Sequence, residues 1–307
     1  MKQVNQFIGR RMKKNSYGFN AVIMVVGLLF CISVSKADEA REIMDKVDKL
    51  QRKTADSTLS KARLSSCKFG KTNRKVACVE KARVKLMESV SKQIGSKKKD
   101  SQSISILLEP ASERGIGMLT YSYDDTSKDT ESWLYLSALG RVKRMASGTG
   151  EDQEPVSLFG SEFTTEDMES GKMDEYDFKI LKEGAFGKHQ VWVIEARPKA
   201  VRLKKTNYSK VLFWIDRKRY ISLKVQNYDK REKLLKKIMF KNIEQINGLW
   251  IARDTTLINV QTQRLSRMKN LEIAIGVDVD GEFLTQRTLT DFAYRERELE
   301  KLRQHIQ

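Results

Sequence analysis

Few residues in this chain are of a type and spacing that could do chemistry. Its 307 residues include two histidines, His189 and His305, and three cysteines, Cys31, Cys67 and Cys78. His189 follows Gly187-Lys188 in a turn-like stretch and His305 lies in a charged terminal segment, so neither supports histidine-based acyl transfer. Both are too far along the chain from Cys67 and Cys78 to complete a zinc site. The acid pairs Asp124-Asp125 and Asp278 with Asp280 sit in polar, turn-like surroundings, where carboxylates shape turns rather than act as a general acid and base. Gly115 and Gly117 are followed by no lysine-serine pair and no third glycine in register, which excludes a phosphate loop. Gly160-Ser161-Glu162-Phe163 lacks the paired glycines of a hydrolase elbow. These residues predict a protein that is not an enzyme and binds no metal or cofactor.

The chemistry that remains is a disulfide, and its plausibility depends on export. Arg10, Arg11, Lys13 and Lys14 precede an apolar run from Ala21 to Val34, and Ser35-Lys36-Ala37 places small residues at −3 and −1 of a cleavage site. This reads as a secretory signal peptide of residues 1–37 cut between Ala37 and Asp38. An uncleaved anchor would need a longer apolar run, roughly 18 residues or more. The bulky Leu29-Phe30 before Cys31 argues against an acylated lipoprotein, so the expected product is a soluble periplasmic chain. Cys67 and Cys78 then form an even pair flanking a Gly-Lys-Thr-Asn hairpin loop, which predicts a Cys67–Cys78 bridge. The first 37 residues carry six Lys or Arg and no acid, so the net charge falls from +18 to +12 on cleavage. In an exported protein that balance points away from nucleic acid and toward anionic lipid, lipopolysaccharide or acidic partners, or serves solubility alone.

The elements that must position these residues are mostly strands. Tyr208 to Phe240 reads as a three-stranded meander: Val211 to Ile215, then Ile221, Leu223 and Val225 alternating with Ser222, Lys224 and Gln226, then Leu234 to Phe240. Further strands are expected at Ile104 to Leu108, Trp133 to Leu136, Gly140 to Met145, Phe178 to Leu181, Val191 to Ile194 and Trp250 to Val260. Another spans Leu271 to Val279, where the alternation is cleanest. Asn247-Gly248 is a hairpin signal, and Thr164 with Asp167 a capping box. Ile43, Met44, Val47 and Leu50 recur at helical spacing, so an amphipathic helix is expected there, as a core element or as a lid. Leu59 to Val90 is ambiguous, since Val79 to Val90 also fits a helix. Ala146 to Pro155 is a polar loop, and Arg295 to Gln307 a charged terminal helix.

Trp133-Leu134-Tyr135-Leu136-Ser137-Ala138-Leu139-Gly140-Arg141-Val142-Lys143-Arg144, taken with Phe159-Gly160-Ser161-Glu162-Phe163-Thr164-Thr165-Glu166-Asp167, resembles the outer-membrane lipoprotein-sorting proteins, relatives of the periplasmic carrier LolA. Arg114-Gly115-Ile116-Gly117, Tyr208 to Asp216, Tyr228-Asp229-Lys230 and Leu235-Lys236 agree as well. Ser137 stands where that family usually has proline, Thr165 where it has an aromatic residue, and Arg231-Glu232 where a glycine turn is common. The resemblance implies a mainly β fold: a curved antiparallel sheet forming a half-open LolA/LolB-like β-barrel with helices on its concave side. It implies domain boundaries of 38–290 for the barrel and 291–307 for the charged C-terminal helix. It also implies lipid or lipoprotein acyl chains as ligand and an inner-membrane RND-type transporter as partner.

Two functions fit this reading. One is a periplasmic carrier or chaperone for acylated lipids or lipoproteins, whose cavity would be lined by Ile43, Val47, Trp192, Trp214 and Trp250. The other is a non-catalytic envelope interaction or stress-sensing module whose cavity is filled by its own side chains. The oligomeric state is not encoded in any recognisable feature.

Overall fold

The computed structural model describes residues 36–54, 56–72, 75–95, 98–145, 156–169 and 172–306. The chain divides into a unit of residues 1–33, outside that set, and a unit of residues 34–307, which carries the fold. The expected signal peptide up to residue 35, Asn73-Arg74 of the cysteine hairpin and the loop 146–155 lie outside the described residues.

Helix α1 (Lys36–Thr54) comes first, so the Ala37-Asp38 junction falls in its first turn. Strands β1 (Ser57–Thr72), β2 (Lys75–Cys78), β3 (Arg83–Ile94), β4 (Asp100–Glu109), β5 (Gly117–Ser122), β6 (Glu131–Leu136) and β7 (Arg141–Met145) follow. A short helix α2 (Thr165–Met168) leads to β8 (Tyr176–Phe186) and β9 (His189–Pro198), and α3 (Ala200–Leu203) to β10 (Lys210–Asp216), β11 (Ser222–Tyr228), β12 (Leu234–Ile246), β13 (Leu249–Asn259) and β14 (Arg264–Ile275). Helices α4 (Gln286–Thr290) and α5 (Phe292–Arg303) end the unit.

The strands form one antiparallel, curved, open sheet in the order β7-β6-β5-β4-β3-β1-β14-β13-β12-β11-β10-β9-β8, with β2 paired only to β1. The meander at its centre is the expected one. Asp216 anchors the first turn by accepting backbone N–H groups of Lys218 and Arg219, and Asp229 anchors the second by accepting those of Arg231 and Lys233. Asn247 and Gly248, both at positive φ, make the tight β12–β13 turn.

Two boundaries differ from expectation. Val79 to Val90 is not helical, because β3 pairs along its length with β1 and β4. Strand β14 stops at Ile275 rather than Val279: Gly276 turns out of the sheet at φ 78°, and Val277 and Val279 are buried beyond the strand end. The terminal helix packs on the sheet, with Leu299 and Leu302 in a core cluster with Leu59, Val90, Ile104 and Leu119.

Cross-strand partners share a face, which assigns the two sides of the sheet. Met87 of β3, Leu107 of β4 and Met118 of β5 occupy one core cluster with Val211, Val225 and Ile238 of β10 to β12, although β1, β14 and β13 intervene in the sheet order. That face is therefore the concave one, and α1 rests on it against Phe178, Trp192, Ile194, Ala196 and Ile215. Helices α4 and α5 cover the opposite, convex face of β3 to β7. Gly117 permits the closest approach there, since a Cβ would meet Leu289 of α4 at 2.7 Å and Ile106 at 2.6 Å.

Candidate functional site

Helix α1 forms where acids, Asp38 and Glu39, open it and bases, Arg52 and Lys53, close it, as the helix dipole favours. Its buried stripe of Ala40, Ile43, Met44 and Val47 is narrow and leaves gaps on the concave face. One cleft of about 190 Å³ lies between α1 and β8 to β12 and is lined by Met44, Val47, Phe178, Phe213, Val225 and Phe240 among others. A second, of about 270 Å³, is lined by Leu50, Ile221, Leu249, Trp250 and Ile251. The clefts share Val47, Gln51, Ser222 and Phe240, so one end of α1 is the partition between them.

The first cleft ends in a buried ionic network. The capping box at α2 holds Asp167 by Thr164, and Asp167 also accepts hydrogen bonds from Tyr208 Oη at 2.5 Å, Lys236 Nζ at 2.6 Å and Asn227 Nδ2 at 3.2 Å. Beside it, Arg202 donates to Glu169 at 2.9 Å and to Tyr176 Oη at 3.0 Å. Burial raises the Glu166 carboxyl above its usual range despite bonds from Thr206 and Asn207. Burial acts the same way on Glu169, but the charges of Arg202 and Lys172 outweigh it and hold that carboxyl below its usual range. Burial pushes the Tyr176 phenol up to about 12, and burial with the neighbouring Asp167 and Glu166 raises Tyr208 well above the ordinary value. A network so closely paired locks the α2 and 199–208 segments in place; it presents no nucleophile beside a base.

The five residues expected to line a cavity are not brought together as a set. Ile43 and Val47 face the concave side, and Trp192 lies beneath α1, 5.5 Å from the ring of Tyr220. Trp250 lines the second cleft at the surface, with Arg219 over its ring. Trp214 requires a correction: it projects from the convex face, packed with Val191, Val193 and Leu223 under Lys224. Strand alternation is the cause, since Phe213 and Ile215 take the concave positions on either side of it. His189 pairs with Asp216 at 3.1 Å and with Arg219, outside both clefts. The Cys67–Cys78 bridge is present at the base of the β1–β2 ribbon, with Cα atoms 5.8 Å apart, although Cys78 lies directly opposite Phe69.

Residues 99–291 match the model of a family described as "Uncharacterized protein"-like. Comparison with curated proteins gives no match. Among solved structures, a DUF1329 family protein from Desulfovibrio piger is 22% identical with a TM-score of 0.72, over 83% of this chain and 100% of the other. An outer membrane lipoprotein-sorting protein domain from Vibrio parahaemolyticus is 25% identical with a TM-score of 0.70, over 83% and 99%. A LolA superfamily protein from Nitrosomonas europaea shares the fold at 17% identity and a TM-score of 0.58, over 80% and 97%. The chain belongs to the family of that model, and its fold is LolA-like.

In this LolA-like protein the motifs that carry the resemblance fall into two places. Gly117 and Trp133 lie under the convex helices, where Tyr121 stacks edge-on against Trp133 at 5.0 Å and donates to the Leu284 carbonyl. Phe159, Phe163, Asp167, Tyr208 and Lys236 converge on the floor of the concave side and its ionic network. Sequence reasoning missed the network's cations. The signal was available for Lys236, which shares the alternation parity of the buried Ile238 and is itself 5% exposed; Arg202, in a four-residue helix, offered no such pattern.

Proposed function

We propose that the protein is a periplasmic carrier or chaperone that binds the acyl chains of lipids or lipoproteins on the concave face, with α1 as a displaceable plug. The observation that carries this reading is the pair of apolar clefts divided only by Val47 and its neighbours, because lifting α1 would join them into one trough. The Vibrio parahaemolyticus relative, named a lipoprotein-sorting domain, supports the same cargo class. An inner-membrane RND-type transporter is the partner class such a carrier would serve. Among the described residues no helix is long and apolar enough to cross a membrane.

Mass spectrometry of organic extracts from the purified mature protein tests the reading, with acyl-bearing lipid in stoichiometric amount as the expected result. Folded protein that yields no lipid and binds no hydrophobic fluorophore would instead identify a self-filled interaction module.

A further inference from the structure

One of the two walls of the concave face carries a polar strip beside its apolar Met87, Leu107 and Met118. On β1 and β3 to β6 the register aligns Thr58, Ser91, Ser103, Thr120 and Ser132 in one row and Ser60, Ser89 and Ser105 in the next. These hydroxyls share the face of Met87 and Met118, which pack on the concave side. Val90, Ile104, Ile106 and Leu119 of the same strands point the other way and are covered by α4 and α5. All of the row members except Ser132 are half-buried, so the wall is open to a ligand rather than sealed. A face meant only for alkyl chains would have no reason to turn its serines inward.

A second observation points to a ligand at the same wall. Gln93, opposite Ser101 and on the same face as Ser91, is 6% exposed, and its side-chain carbonyl oxygen has no hydrogen-bond partner among the described residues. A buried acceptor without a donor is costly, and a ligand hydroxyl would satisfy it. The hydroxyl pairs Ser89–Ser105 at 2.7 Å and Thr120–Ser132 at 3.3 Å each use one donor and leave a donor and acceptor sites free. Charge is scarce here: Lys143, at the outer end of the Ser105 row on the edge strand, is the one ionisable side chain on these two rows among the described residues.

We propose that this wall is a subsite for an uncharged, hydroxyl-rich head group, so that the ligand is an amphiphile with its alkyl chain under α1 and a glycosyl or glyceryl head on the serine rows. The inference rests on the carrier reading and adds the class of head group to it. An anionic phosphate head would lose water here with a cation, Lys143, only at the outer end of the rows.

Binding of decyl maltoside and decyl phosphate to the mature chain, each below its micelle concentration and measured by displacement of a hydrophobic fluorophore, decides the matter. Decyl maltoside is expected to bind about tenfold tighter, the worth of one or two net hydrogen bonds. The triple substitution Ser89→Val, Ser103→Val, Thr120→Val should abolish that preference and leave decyl phosphate within about twofold of its original affinity. Valine suits a strand, and if the triple variant does not fold, Ser103→Ala with Thr120→Val tests the same rows. Equal or tighter binding of decyl phosphate, or a preference that survives the substitutions, overturns the subsite while leaving the carrier intact. Binding of neither amphiphile would overturn the carrier reading and the subsite with it.

Discussion

At the scale of single residues, the carboxylates around the first cleft behave oppositely although two of them are only three positions apart. Glu169, held below its ordinary value of 4.5, stabilises the fold above that value and loses its contribution as the pH falls through its lowered folded value. Glu166, raised above 4.5, has the reverse effect: its contribution is full below 4.5 and is lost as the pH rises through its raised value. Melting temperature followed from acid to neutral pH should therefore show a shallower acid-side loss in Glu169→Gln, and in Glu166→Gln a smaller decline on the rising side. Identical profiles for the two variants would contradict the assignment. Lys236 and Asp167 have side chains 6% and 1% exposed, so Lys236→Met leaves a carboxylate buried without its cation. Urea denaturation should show a loss of roughly 3–5 kcal/mol. A loss under about 1 kcal/mol would mean that Tyr208 and Asn227 satisfy Asp167 unaided.

Helix α1 is the element on which the proposed function turns. Its buried Ile43, Met44 and Val47 side chains contribute roughly 1.5–3 kcal/mol each against full exposure, so spontaneous release is rare unless an acyl chain replaces the contact at about 0.8 kcal/mol per buried CH₂. Val47, 7% exposed, sits at the partition between the clefts, and Val47→Asp should lift that end of the helix while the strand ladder persists. The expected outcome is an unchanged β circular-dichroism spectrum with increased binding of a hydrophobic fluorophore. Cooperative unfolding without a dye-binding native state would make α1 an ordinary core element. The β1–β2 ribbon contrasts with α1: its bridge closes a short loop and constrains the unfolded chain by roughly 2–3 kcal/mol, which suits a fixed part of the frame.

For the whole folded unit, the sheet has cores on both sides, and they do different work. The convex core under α4 and α5 includes Leu302 at 5% exposure and is closed by the Arg303–Glu88 ion pair at 2.6 Å. Leu302→Ala should cost about 2–5 kcal/mol in chemical denaturation yet leave fluorophore affinity in the clefts unchanged, because the sheet separates the two. A weakened affinity in the folded variant would show that the convex helices also shape the concave site. The amino-acid sequence by itself determined the local pieces: the meander and its aspartate turns, the amphipathic α1, the capping box, the cysteine pair and the motifs of the family. Each of these depends on neighbours within a few residues, through alternation, helical spacing or turn chemistry. Only the tertiary structure decided which face of each strand is inside, since alternation defines two faces without ranking them when helices cover both. That is why Ile104 and Ile106 are on the convex face, Ser103 and Ser105 on the concave face, and Trp214 on the convex one. It also decided the ionic network, whose long-range hydrogen bonds span 26 to 69 positions and form only because β8 to β12 bring their ends to α2.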